Sequence, residues 1–284
     1  MAWSERQLAM LRAMGVQLFA PPAAPAAVRE SPAAPAREPA AAAASAADAA
    51  LAAPGRMAAR ASAAKRAQPA PPLRADAVGE AGAAPLAPDA VAALDWPALR
   101  AAVAACRACR LCETRTQTVF GVGHEHAQWM VVGEAPGAQE DEQGEPFVGA
   151  AGQLLDNMLR ALELTRAAEG DPARRVYIAN TLKCRPPGNR NPQPDELAQC
   201  EPFLRRQIAL VRPRVILAMG RFAVQSLLRT SEAVGRLRGR VHRYQGVPLI
   251  VTYHPAYLLR NLTDKARAWE DLCLAAQVVE QAGD

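Results

Sequence analysis

From about residue 94 to the C-terminus, short continuous apolar runs alternate with longer stretches of helical periodicity. Trp129-Met130-Val131-Val132, Arg175-Val176-Tyr177-Ile178-Ala179, Val215-Ile216-Leu217-Ala218-Met219 and Val247 to Thr252 are rich in β-branched side chains and almost free of polar ones. That is how strands buried on both faces read. Between them, Leu154, Leu155, Met158, Leu159 and Leu162 recur at helical spacing in residues 150–164. Leu197, Phe203, Leu204, Ile208 and Leu210 predict a helix over 195–211, and residues 222–228 and 263–281 predict two more. Asp95 is placed to cap a helix carrying Trp96, Leu99 and Val103. Arg236 to Tyr244 is a basic excursion of hairpin length. Strands alternating with helices imply an α/β fold, a parallel sheet with helices on both faces.

Ahead of residue 93 this pattern is missing. Residues 3–18 form a short amphipathic candidate helix, with Ser4 and Gln7 as a capping box and Leu8, Leu11 and Met14 on one face. Residues from about 20 to 90 are dominated by Ala and Pro, with too few large apolar side chains to offset the entropy of ordering them. The expected organisation is a helix over 1–19 that could dock on a protein partner, a disordered linker over 20–92, and one monomeric domain over 93–284. The net charge of +5 is spread thinly: the segment to Ala92 holds nine Lys and Arg and seven Asp and Glu, leaving 24 against 21 beyond it. Overall charge therefore does not establish a polyanionic partner.

No run of about 18 apolar residues is present, so no membrane span is expected. Glu5, Arg6 and Arg12 interrupt any secretory signal core, and a cytoplasmic location is expected. Of six cysteines, Cys106, Cys109 and Cys112 are clustered, while Cys184 and Cys200 flank a long Pro-, Gly- and Arg-rich loop and the helix after it. Two separated pairs, Cys106 with Cys109 and Cys184 with Cys200, suit four-thiolate ligation of zinc or of an iron–sulfur cluster, and spacing does not choose between them. Cys112 competes for a ligand place, and Cys273 reads as a small core residue.

The first strand runs into Gly133-Glu134-Ala135-Pro136-Gly137-Ala138-Gln139-Glu140-Asp141, and Pro146-Phe147-Val148-Gly149 follows just before the next helix. A glycine- and carboxylate-rich loop at the carboxyl end of a strand lies where open α/β sheets bind ligands. The second and fourth strands end at Asn180 and His254, so three strand ends bring polar groups to one edge of the sheet.

These motifs together resemble those of the family 4 uracil-DNA glycosylases. The resemblance rests on Gly133–Gly137 with Glu140-Asp141 and Pro146–Gly149, on Asn180 with Lys183-Cys184-Arg185-Pro186-Pro187, and on His254-Pro255-Ala256-Tyr257-Leu258-Leu259-Arg260. It spans about Cys106 to the C-terminus. It implies a three-layer fold around a four-stranded parallel sheet, and a [4Fe-4S] cluster held by Cys106, Cys109, Cys184 and Cys200. It implies hydrolysis of the N-glycosidic bond of uracil in single- or double-stranded DNA, leaving an abasic site for base excision repair. Asn180 would then read the Watson–Crick edge of a base taken out of the stack, in a pocket that includes Gly133 and Ala135. Phe147 would stack on that base, and Glu140 would exclude a methyl at C5. His254 would stabilise the departing base and Glu134 would position or activate water. Leu258 would wedge into the vacated stack, and Arg185, Arg190, Arg260 and the trio Arg236, Arg238 and Arg240 would hold phosphates. Two other readings stay open: a non-catalytic iron–sulfur module that binds DNA, and a glycosylase accepting mismatched or other deaminated bases.

Overall fold

The structure, a computed structural model, describes residues 86–282. The helix expected over 3–18 and the linker up to residue 85 lie outside the described residues. Four parallel strands form the centre, β2 (Trp129–Gly133), β3 (Val176–Asn180), β4 (Val215–Met219) and β6 (Val247–Thr252), as the sequence predicts. Two antiparallel strands extend the sheet to the order β1-β3-β2-β4-β6-β5. One is the two-residue β1 (Val122–Gly123), which has too little pattern to be seen in the sequence. The other is β5 (Val241–Tyr244), the second half of the basic excursion, which is no hairpin by itself but pairs antiparallel with the predicted fourth strand, β6.

Every residue of β2, β3 and β4 is buried. Because successive side chains point to opposite faces, each strand feeds two cores. Trp129, Val131, Val176, Ile178, Val215, Leu217, Met219 and Ile250 face one side, where α4 (Ala150–Ala161) and α9 (Lys265–Gln281) supply Leu155, Met158, Leu159, Trp269 and Leu272. Met130, Val132, Tyr177, Ala179, Ile216, Ala218, Leu249 and Val251 face the other, against Leu204, Ile208 and Val211 of α5 (Pro194–Val211) and Val224 and Leu227 of α6 (Arg221–Leu228). Each Val, Leu, Ile or Met among them contributes about 1.5–3 kcal/mol on burial, which is why the continuous apolar runs become the interior strands.

A third apolar cluster lies beyond α5, where Leu99 and Val103 of α2 (Trp96–Ala105) meet Phe203 and the buried Cys184 and Cys200. Asp95 caps α2 as expected, accepting from the Ala98 N–H at 3.0 Å. Packing starts ahead of residue 93: α1 (Pro88–Ala92) lies against α5 with Val91 buried. The loop after β2 also contains a short helix, α3 (Ala138–Gln143), and another, α7 (Val234–Leu237), precedes β5. No helix among the described residues is long and apolar enough to cross a membrane.

Candidate active site

The parallel strands end level with one another, Gly133 beside Asn180 and Met219 beside Thr252, and a cleft of about 870 Å³ opens at that edge. Glu134, Ala135, Glu140, Phe147, Asn180 and His254 all line it. Gly133 backs onto two of these lining residues: a Cβ there would stand 2.4 Å from Asn180 Oδ1 and 2.6 Å from the Phe147 ring. Only a residue without a side chain lets the Asn180 amide and the Phe147 ring close in on the strand end from both sides.

Asn180 is buried, and its Oδ1 has no hydrogen-bond partner. Buried acceptors are nearly always paired, so an orphan facing a cleft marks a place for a donor from a ligand. Phe147 holds its backbone at φ 56°, a left-handed conformation that costs a bulky residue about 1–3 kcal/mol. The structure keeps it there at two points. Gly152 leaves room for the Phe147 carbonyl, which a Cβ would meet at 1.7 Å. The Glu140 carboxylate accepts from the N–H groups of Gly137 at 3.0 Å, Val148 at 3.1 Å and Gly149 at 3.4 Å. The Phe147 ring then stacks on the His254 ring, centroids 5.3 Å apart and planes 27° apart.

His254 begins the one-turn helix α8 (Pro255–Leu258), and its Nδ1 accepts from the Ala256 N–H at 3.1 Å. An accepting Nδ1 puts the proton of the neutral ring on Nε2. Burial pushes the imidazole down to about 4, with Glu140 pulling it back up and Arg260 adding to the depression. The ring is therefore neutral at physiological pH. Burial raises the Glu134 carboxyl above its ordinary value, and Arg221, at the start of α6, works against that shift.

Leu258 does not occupy the place expected of a wedge. The turn of α8 aims it into the core with Trp269 and Leu272, and it is fully buried. The exposed apolar side chains here are Leu259 and Leu262, 42% and 62% exposed. Among the expected phosphate-binding arginines, Arg238 pairs with buried Asp271 at 3.0 Å and with Glu270 at 2.9 Å, which fastens the β5 approach to α9. Arg190 is held bidentately by Glu196. Arg260 lines the cleft, as do Arg221, Tyr253 and Tyr257, which the sequence reading did not single out. Gly220-Arg221 at the end of β4 carried the same positional signal as Glu134, Asn180 and His254.

Cys106, Cys109, Cys112, Cys184 and Cys200 line a separate small cavity with Arg115 and Lys183. Burial raises the thiols of Cys109 and Cys184 and pushes Cys200 up to about 12. Thiols raised in this way ionise more readily beside positive charge, which Arg115 brings to Cys184 and Lys183 to Cys200, and which a soft metal centre would add to. Arg115 donates to Cys184 Sγ at 2.9 Å and to the Cys106 carbonyl at 2.9 Å, and the Lys183 N–H donates to Cys200 Sγ at 3.3 Å. Donors aimed at sulfur suit ligands that will carry negative charge. Among the described residues no three His, Cys, Asp or Glu side chains form a group set to hold a metal ion.

The profile of the uracil DNA glycosylase superfamily matches residues 120–273. A type-4 uracil-DNA glycosylase of Archaeoglobus fulgidus is 44% identical over 155 residues, covering 52% of this chain and 74% of its own. Those of Pyrobaculum aerophilum and Thermotoga maritima are 42% and 39% identical, covering 56% and 60% of this chain and 82% and 86% of theirs. The chain belongs to the uracil DNA glycosylase superfamily, hydrolases of the N-glycosidic bond, and within it to the type-4 enzymes.

Proposed function

We propose that the cleft at the strand ends takes up a uracil flipped out of DNA and hydrolyses its N-glycosidic bond, leaving an abasic site. The observation that carries this reading is the orphaned Asn180 Oδ1 beside the Phe147 ring. Uracil offers a donor at N3 and an acceptor at O4, which the Asn180 amide matches with its oxygen and nitrogen. Cytosine offers the reverse and would leave buried groups unpaired. Phe147 supplies the stacking face. Glu140, fixed by three peptide N–H groups, is a rigid wall beside it and is assigned the exclusion of a methyl at C5.

As the bond breaks, negative charge gathers on the base and positive charge on the sugar. The Nε2–H of neutral His254 donates to O2 of the leaving base, a preorganised stabiliser that needs no proton transfer. The Glu134 carboxylate orients and activates the attacking water and favours the cationic sugar. Arg221 and Arg260 lie in the cleft to meet phosphates. Exposed Leu259, in place of Leu258, is assigned to fill the gap left in the stack.

Cys106, Cys109, Cys184 and Cys200 would hold a [4Fe-4S] cluster. It would supply a structural tether joining the end of α2, the segment after β3 and α5. Hydrolysis itself requires no electrons. The monomeric state and cytoplasmic location expected from the sequence go with this reading. The test is release of free uracil from a uracil-containing oligonucleotide by the full chain, with its iron measured. An intact protein that binds the oligonucleotide and releases no uracil would overturn it.

A further inference from the structure

Lys183 is a buried cation that no contact with substrate explains. It is 1% exposed, and its ammonium donates to the Asn180 carbonyl at 2.8 Å and to Gln207 Oε1 at 2.7 Å. Gln207, on α5, is itself fully buried, and its nitrogen donates to the Phe120 carbonyl at 2.8 Å and the Tyr177 hydroxyl at 3.2 Å. The Lys183 carbonyl accepts from the Val119 N–H at 2.8 Å. A Leu or Met of similar volume would fill this space without desolvating a charge, so filling space does not account for the lysine. Its two acceptors join α5 to the last peptide of β3, the residue whose side-chain amide carries the orphaned acceptor of the cleft.

We propose that Lys183 is a positioning residue for base recognition, its ammonium locking the Asn180 peptide to Gln207 so that the Asn180 amide is held in line with the base edge. This rests on the reading of Asn180 as the uracil-binding residue. Thr181 and Leu182 N–H groups already bond to the Gly133 and Glu134 carbonyls, which fixes the strand end within the sheet. Lys183 fixes it against the helix layer. Without it the end of β3 keeps its ladder but gains freedom to tilt, and an amide that must meet two base atoms at once loses its alignment.

The test uses the full-length protein with the variants K183M, N180A and K183M/N180A. The readouts are steady-state excision of uracil from a single-stranded oligonucleotide and inhibition by free uracil. In K183M the KM and the inhibition constant rise together, by roughly tenfold, as for coupled members of one hydrogen-bond network, while kcat stays within a few-fold. A general folding defect would instead lower the active fraction, reducing kcat at unchanged KM. In the double variant, K183M adds nothing to the loss already caused by N180A. Additive losses, or a fall in kcat at unchanged KM, overturn the proposal. Should K183M fail to fold, K183Q, which keeps one donor, carries the same cycle: a partial rise in KM that vanishes in the N180A background supports the proposal, and wild-type KM overturns it. An N180A protein with wild-type KM and uracil inhibition overturns the Asn180 assignment and this proposal with it. An impaired N180A beside an unimpaired K183M overturns this proposal alone.

Discussion

The cleft and the cysteine cavity share one stretch of chain, Asn180 to Cys184, yet they stand ready for their ligands in opposite ways. In the cleft the polar groups are already in their working states: His254 is neutral with its proton placed, and an acceptor is aimed and unpartnered. In the cavity burial raises the thiols of Cys109, Cys184 and Cys200, so these sulfurs ionise less readily than free thiols, with Arg115 working against that shift at Cys184. One site is preorganised for binding, which limits the ordering left to the moment of reaction. The other, on the proposed cluster assignment, would be completed by what it binds, so that binding would be part of folding.

The largest effect that would test this contrast is removal of a cavity sulfur. C184A or C200A should lose the visible absorbance of an iron–sulfur cluster and about four iron atoms per chain, with a fall in melting temperature. Protein isolated with stoichiometric zinc and no iron would break the cluster assignment. Next, H254A should keep its iron and fold while kcat falls by roughly 10²–10³, the scale for loss of one preorganised donor to a developing anion. Kinetics beside a metal analysis would separate the two sites. N180D should follow, losing about 1–3 kcal/mol of base recognition because the donor to O4 becomes a carboxylate. Uracil excision at the wild-type rate would exclude Asn180 as the reader.

A finer effect is expected in pH dependence. In the proposed mechanism Glu134 works ionised, and burial raises its carboxyl above the ordinary 4.5, so kcat/KM should fall on the acid side with a midpoint above 4.5. His254 is already neutral above about 4 and adds no limb near neutrality. R221M removes the positive charge opposing the Glu134 shift, and its acid limb should move to higher pH; in E134Q the limb should vanish from the residual activity. The last contrast lies between neighbouring leucines, and for activity it is the smallest. L258A should cost about 2–5 kcal/mol of stability, as large-to-small core changes do. L259A should leave stability alone and lower excision from duplex more than from single-stranded DNA, because only the duplex has a stack to fill.

The four interior strands and most of the flanking helices were legible in the sequence, because a parallel sheet writes itself as continuous apolar runs. Their ends, and so the convergence of Glu134, Asn180 and His254, came with them. Helix α3 was hidden, since Ala-Gln-Glu-Asp-Glu-Gln has no apolar face to give it a period. Leu258 and Leu259 are adjacent and identical, and only the turn of α8 decides which is buried. Arg238 read as one of three like charges, whereas its partner, Asp271, lies 33 residues further along the chain. Lys183 stood in the sequence only as the first residue of the motif running to Pro187, and only the tertiary position of Gln207 shows its ammonium to be internal. Local pattern specifies elements and their ends; the partner of a charge is set by tertiary contacts that leave no period in the sequence.

The strand order has a consequence in time. β2 is the first of the four interior strands to be synthesised and it lies between β3 and β4, so neither of its edges has a neighbour when it emerges. The end of β4 follows 86 residues after the end of β2, which at about 5–20 residues per second is a delay of roughly 4–17 s. Through that interval Trp129-Met130-Val131-Val132 is an apolar segment with open hydrogen-bonding edges on a nascent chain. A strand wholly buried in the finished enzyme is thus left open for longest during its manufacture, and it is there that a ribosome-associated chaperone would have most to cover.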